Sequence, residues 1–420
     1  MIYFSNGGPD KNLTKEEIRD ALRISMNYFS ARRNVMIIPP DVTRAHSGAG
    51  MITEMLCEIL DDKVKDILPA LGTHMPMEKS EISRMFGSTP RSLFREHRWR
   101  TDIAELGRIP SSFISDVTGG KLKFDYPVQV NKLLVSGGHD LIISVGQVVP
   151  HEVTGMANYN KNIFVGCGGS EAINKSHFIG AVHGIENILG TIDNPVRRVL
   201  NRASEVASSK LPLIYILTVV APDLDGFLRI KGLFIGNDIE CFRLAASLSQ
   251  KVNFTTLEKR LKKVVVYLDP DEFKSTWLGN KSIYRTRMAI ADEGELIVLA
   301  PGVRTFGEDQ EIDRLIRKYG YRTTPEILSF VAENDDLRDN LSAAAHLIHG
   351  SPENRFRVTY ATGGLTSKEI ESVGYSFGNL HELIKQYDPG VLRTGFNRLV
   401  NGEEVFFITN PATGLWKAQD

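Results

Sequence analysis

Four short stretches carry side chains able to exchange protons, grip anions or bind a metal. Asp41-Val-Thr-Arg44 sets a carboxylate near a guanidinium. Gly72-Thr-His74 and Pro150-His151 each place an imidazole beside residues that constrain the backbone. The densest stretch begins at His151, passes Gly155, Lys161 and Gly166-Cys-Gly168-Gly169-Ser170, and ends at His177. Imidazole titrates near neutrality, so two histidines converging on one crevice would form an acid/base pair, although each alone is more often structural. The glycines imply a backbone that comes close to a ligand or takes positive φ. Gly168-Gly169-Ser170-Glu171, ahead of a helical stretch, has the look of an anion site at a helix start, although it is neither GxGxxG nor a Walker loop. His177 and His183 lie six apart and would not share a helix face, and His151-Glu152 does not continue into HExxH. The sequence is therefore not that of a typical zinc hydrolase. Lys161 is equally open to the reading of a solvent-facing lysine, the usual fate of that residue type.

Strands and helices must bring these groups together. Thr14-Lys-Glu-Glu17 reads as a capping box opening a helix to about Ser30, with Ile18, Ala21, Leu22 and Met26 on one face. A buried strand follows at Val35–Ile38, then a helix over Ser47–Asp61 and a strand over Asp66–Leu71. Strand, helix, strand with short connections predicts a parallel sheet. Further strands are expected at Leu141–Val149, Asn162–Val165, Leu213–Val220, Phe227–Phe234 and Lys262–Leu268, with a helix at Asp238–Ser249. Helix and strand then repeat through Ser282–Ala291, Glu295–Ala300, Asp309–Lys318, Thr324–Val331 and Phe356–Thr362. The expected fold class is α/β, two α/β domains with mainly parallel sheets and an active-site cleft between them. One domain would cover 1–261 and take back the tail, 390–420, through a strand at Glu404–Thr409; the other would cover 262–389. In open parallel sheets, sites form beyond the carboxyl ends of strands. Asp41, His74 and His151 each sit just past such an end.

Composition narrows the partners. The chain has 420 residues, 42% hydrophobic and 24% charged, with 50 basic and 51 acidic residues. That balance offers no basic stripe for nucleic acid. Three scattered cysteines without a CxxC pair fit a reducing compartment. The first residues lack a basic n-region and an apolar h-region, and no apolar run approaches the roughly 20 residues of a membrane span. The expectation is a cytoplasmic enzyme with no membrane and no nucleic-acid partner.

Taken in order, these motifs resemble the lactate racemase family, whose enzymes use a nickel-pincer nucleotide. Asp41-x-x-Arg44 is similar to the family's early Asp-x-x-Arg, and Leu71-Gly-Thr-His74-x-Pro76 resembles its Gly-x-His-x-Pro. Pro150-His151-x-x-x-Gly155, with Lys161 ten residues after the histidine, is similar to its Pro-His-x-x-x-Gly…Lys signature. His177, sixteen beyond Lys161, falls where the family has its metal histidine, and Asn280–Ala289 with Tyr284 resembles its Asn-x-Tyr-Gln-Ala-x-Lys helix. The resemblance implies an isomerase, a racemase or epimerase that inverts C2 of a 2-hydroxy acid by proton-coupled hydride transfer to the cofactor. It implies that Lys161 holds the pyridinium thioamide/thiocarboxylate mononucleotide covalently. His177 would be the one protein ligand to nickel, completing a square plane that suits Ni(II). Asp41 and Arg44 would lie near cofactor and substrate, with Gly168 and Gly169 at the cofactor. His74 and His151 would be the acid/base pair, one for each hand of the substrate. Enzymes that build the cofactor would be further partners.

Several positions differ from the family pattern. The small stretch before the lysine is Met156-Ala-Asn-Tyr-Asn160, the residue after His74 is Met75, and the later helix carries Arg285, Arg287 and Met288. Guanidinium binds carboxylate in bidentate fashion, so Arg285 is a candidate substrate clamp beside Arg44 and Tyr284; its bland alternative is a surface helix arginine. These differences point away from lactate toward a larger 2-hydroxy acid, such as a sugar acid or a dicarboxylate. Two other readings remain: a metal-dependent hydrolase or lyase using the same histidines without a pincer, and a relative that stores or senses the cofactor.

Overall fold

The strand Val35–Ile38 is buried at every position, as a run of Val, Met and Ile in the middle of a covered parallel sheet must be. Alternation sends Val35 and Ile37 into a core shared with Ile18, Leu22, Ile52 and Leu56 from the helices Lys15–Asn27 and Ala49–Leu60. Thr14 and Glu17 cap the first of these helices reciprocally. The computed structural model that shows this describes residues 1–223 and 225–419.

The chain divides into two units, Met1–His183 with Asn187–Asn253, and Gly184–Glu186 with Phe254–Asp420. In the first, a six-stranded sheet runs Ile2–Gly7, Leu228–Gly236, Leu213–Pro222, Leu141–Gln147, Val35–Ile38, Val64–Ile67. The last four strands are mutually parallel, and the first two join antiparallel. The parallel strands end beside one another, so the segments that follow them are carried to the same edge of the sheet.

One expected strand is a helix. Asn162–Val165 lies mostly in the helix Asn160–Phe164. A run of three apolar residues, Ile163–Val165, fits either element by periodicity. Here tertiary contacts decide, because the Asn162 amide donates to the Ile38 carbonyl and to Ser144 Oγ. Those bonds fasten the helix to two neighbouring sheet strands.

The second unit holds another six-stranded sheet, Ser376–Phe377, Arg357–Thr362, Ile290–Ala300, Leu261–Tyr267, Glu404–Ile408, Gly395–Arg398. All neighbours are parallel except the last pair. The tail therefore does not return to the first unit. Val264–Val266 pair in register with Phe406–Ile408, and Val405 and Phe407 are buried with Val265, Ile297 and Leu299. The closing strand Leu415–Ala418 likewise pairs with Phe254–Leu257, so this unit begins at Phe254 rather than Lys262. Apolar alternation reveals that Glu404–Ile408 is a strand but not which sheet edge receives it. No helix among the described residues is long and apolar enough to cross a membrane.

Candidate functional site

Asp41 follows the strand Val35–Ile38 and caps the short turn Val42–Ser47. Its Oδ1 accepts from Thr43 N at 3.2 Å and Thr43 Oγ1 at 2.6 Å, and its Oδ2 accepts from His74 Nδ1 at 2.6 Å. The carboxylate is buried, which alone would raise its pKa. The charge and hydrogen bond of His74, with Thr43 and Arg44, outweigh that and hold it at about 2. Asp41 is thus ionised at neutral pH, and it can only accept.

His74 reaches Asp41 because the chain after Val64–Ile67 stays alongside the neighbouring strand. Pro40 and Ala70 still bridge in parallel, Gly72 N donates to the Gly166 carbonyl at 2.8 Å, and His74 N to the Leu71 carbonyl at 3.0 Å. The imidazole side chain keeps 30% of its surface exposed, enough to be reached by a ligand. His151, almost fully buried, stands in a two-residue ladder with Gly155–Met156. Its Nδ1 accepts from the Val153 backbone N–H at 3.1 Å.

Lys161 lies in the helix Asn160–Phe164. Burial and the charge of Arg44 push its ammonium down to about 8, opposed by Glu152 and Asp41. The side chain is not solvent-facing in the manner usual for lysine, and close to neutrality it has an appreciable fraction of nucleophilic amine. His177, in the helix Ser170–His183, donates Nδ1–H to the Ile173 carbonyl at 2.7 Å. Burial holds it down to about 4, with the nearby Lys161 charge acting in the same direction. At neutral pH its ring is therefore uncharged, with a lone pair left on Nε2, the form in which imidazole binds a metal.

These groups feel one another. Arg44, Asp41 and Glu152 act on Lys161, while Lys161, Glu152 and His74 act on His177. Glu152, the chain neighbour of His151, acts on both Lys161 and His177. Arg44 Nη1 is buried with no hydrogen-bond partner among the described residues. A guanidinium N–H left without an acceptor suits an anionic ligand. Gly168 and Gly169 precede the His177 helix, and at Gly168 the surrounding backbone already demands glycine, whereas at Gly169 the nearest atom belongs to a movable side chain. A Cβ at Gly168 would lie 2.3 Å from the Phe164 carbonyl oxygen, and one at Gly169 2.5 Å from Gln129 Oε1.

Three supporting residues escaped the sequence reading. Arg197, 1% exposed, donates to the Met156 carbonyl at 2.5 Å and to Asn160 Oδ1, and lies 4.4 Å over the Phe242 ring. It braces the turn in which Asn158 (φ 62°) and Tyr159 (φ 59°) take left-handed backbone just before Lys161. A signal existed: Arg197 sits three before Leu200 on the helix face that buries Val196, Leu200 and Ala203. His97 spans the Gly168 carbonyl at 3.0 Å and the Asn131 side chain at 3.0 Å. Within the charged run Glu96–Arg100 nothing marks it as buried. Glu152 was seen only as the neighbour of His151.

Tyr284 and Arg285 belong to the second unit. Tyr284 Oη bonds His346 Nδ1 at 2.8 Å, and that ring stacks on Trp277 at 4.4 Å. Arg285 and Arg287 are both buried, so the surface-arginine reading fails for each. Arg287 is tied to Glu186 at 2.6 Å and to the His349 and Ser351 carbonyls.

Residues 4–188 match the family model described as the lactate racemase N-terminal domain. No curated protein matches the sequence significantly. Among solved structures, a protein from Thermotoga maritima is similar with a TM-score of 0.85 at 24% identity, over 99% of this chain and 100% of that one. Lactate racemase apoprotein from Thermoanaerobacterium thermosaccharolyticum is similar with a TM-score of 0.71 at 16% identity, over 97% of this chain and 93% of that one. Residues 4–188, which contain Asp41, Arg44, His74, His151, Lys161 and His177, thus match the lactate racemase N-terminal domain, and the chain shares the fold of the solved lactate racemase apoprotein.

Proposed function

We propose that this protein is a racemase or epimerase of a 2-hydroxy acid, working with a nickel-pincer nucleotide. The observation that carries the reading is the grouping of an Asp41–His74 pair with a half-buried Lys161 amine and an uncharged His177. The donor chemistry fits the cofactor. Lys161 offers a nucleophilic nitrogen for a covalent link, His177 one imidazole lone pair for nickel, and Arg44 an N–H that lacks an acceptor. When bound, the nucleotide supplies a hydride acceptor for the substrate carbon.

The chain's own groups do the rest. His74, with Asp41 behind it, takes the proton of the substrate hydroxyl, and His151 attends the substrate oxygen from its own position. Arg44 draws the substrate carboxylate or a cofactor anion by charge. Arg285 with Tyr284, on the helix Lys281–Thr286 of the second unit, is the further substrate-binding candidate, and a guanidinium there favours a substrate with more anionic or polar groups than lactate, such as a dicarboxylate or sugar acid. Enzymes that assemble the nucleotide are the implied partners, and a reducing cytoplasm suits the free Cys57, Cys167 and Cys241. Among the described residues no group of three or more His, Cys, Asp and Glu is placed to hold a metal.

The test is a screen of single-enantiomer 2-hydroxy acids by chiral chromatography, using protein made together with the cofactor-building enzymes. Inversion of at least one acid, lost in His74→Gln, is expected. Hydrolysis or elimination in place of inversion would refute the proposal.

A further inference from the structure

The two histidines make hydrogen bonds of opposite sense through the same ring atom. His74 Nδ1 lies 2.6 Å from Asp41 Oδ2, and an ionised carboxylate only accepts. The hydrogen is therefore on Nδ1, and the neutral ring has its lone pair on Nε2. His151 Nδ1 lies 3.1 Å from the Val153 backbone nitrogen, and a backbone N–H only donates. The lone pair is therefore on Nδ1, and the neutral ring has its hydrogen on Nε2.

We infer that His74 and His151 are held in opposite tautomers and are not interchangeable: His74 is the resting proton acceptor, with Asp41 as its positioning residue, while His151 presents Nε2–H as a hydrogen-bond donor. This rests on the proposed racemase reading and assigns the two hands of the reaction to unlike groups. When His74 acts, the substrate O–H bond breaks with its electron pair left on oxygen, and a new N–H bond forms at Nε2. The positive ring stays bonded through Nδ1–H to the Asp41 carboxylate, so its charge is offset where it arises. His151 becomes a positive ring only by taking a proton at Nδ1, which requires it to leave the Val153 N–H. The substrate hand served by His74 therefore reacts from the resting arrangement. The other hand needs a local shift at residues 151–153 first.

The experiment is a long-range proton–nitrogen correlation spectrum of the full chain labelled with ¹⁵N-histidine, at pH 8, with His74→Gln and His151→Gln used to assign the two rings. His74 is expected to show a hydrogen on Nδ1 and a bare Nε2, and His151 the reverse. In Asp41→Ala the His74 pattern should redistribute toward Nε2–H while that of His151 stays as it was, a change that loss of a merely structural residue would not produce. A doubly protonated or Nε2–H His74, an Nδ1–H His151, or an Asp41→Ala spectrum identical to wild type would overturn the inference. Should Asp41→Ala not fold, the wild-type spectrum still decides the tautomers. No cofactor or substrate is needed, so this result stands apart from whether the racemase reading succeeds.

Discussion

Asp41 performs two tasks with one carboxylate, capping a turn through Oδ1 and fixing His74 through Oδ2. Its folded pKa of about 2 lies below the ordinary 3.8. Its contribution to stability is therefore complete above that ordinary value and is lost as pH falls through about 2. Asp41→Asn should cost about 2 kcal/mol at pH 6 by this linkage, and the gap to wild type should close as pH drops from 4 to 2. Urea denaturation across that range measures it; a gap independent of pH would show that the charge is not what matters. Arg197 is a second single-residue dependence. Burial, its largest influence, pulls its pKa down to about 9, yet it holds the Met156 carbonyl and Asn160. Arg197→Met leaves those acceptors buried and unmet, and should lower stability by about 2 to 4 kcal/mol in the same assay. Asp41, His74, Lys161 and His177 were legible as a spaced motif because chemistry restricts their residue types. Arg197 and His97 were not, since a buried arginine or histidine announces itself only once its neighbours are known.

At the scale of elements, the decisive piece is the five-residue helix that carries Lys161. Such a short helix is not stable by propensity; it exists because neighbours hold its start and its middle. Asn162 is bonded to the sheet, and the turn before it is packed through Tyr159 on Tyr215 and Phe242. Gly155, further back in the same loop, sits at φ 77°, where a Cβ would lie 2.2 Å from the Thr191 carbonyl oxygen. Gly155→Ala should therefore destabilise the fold by more than about 2 kcal/mol, visible as a fall in thermal midpoint; an unchanged midpoint would mean that the loop relaxes freely. The long elements were readable from sequence because their patterns repeat. Lys15–Asn27 has a capping box and one apolar face, and the parallel strands are uniformly apolar. Asn160–Phe164 was misread because contacts distant in sequence, rather than a local pattern, determine it.

Across the whole molecule, the order of strand and helix was enough to expect two α/β units, but not where the tail would go. Glu404–Ile408 completes the second sheet by pairing with Leu261–Tyr267. A chain ending at Asp388 would leave that strand with an uncovered edge and remove Phe407 from the core. Limited proteolysis with mass spectrometry should then find cleavage throughout residues 254–388; resistance there would contradict the pairing. Whether Lys161 receives a nucleotide decides the function of the whole molecule. The most direct measurement is peptide mass spectrometry of protein produced beside the cofactor-building enzymes, with nickel quantified in the same sample. The account predicts an added mass on the peptide containing Lys161, absent in Lys161→Ala, and nickel that falls away in His177→Ala. An unmodified Lys161 peptide in protein that nevertheless inverts a 2-hydroxy acid would contradict it.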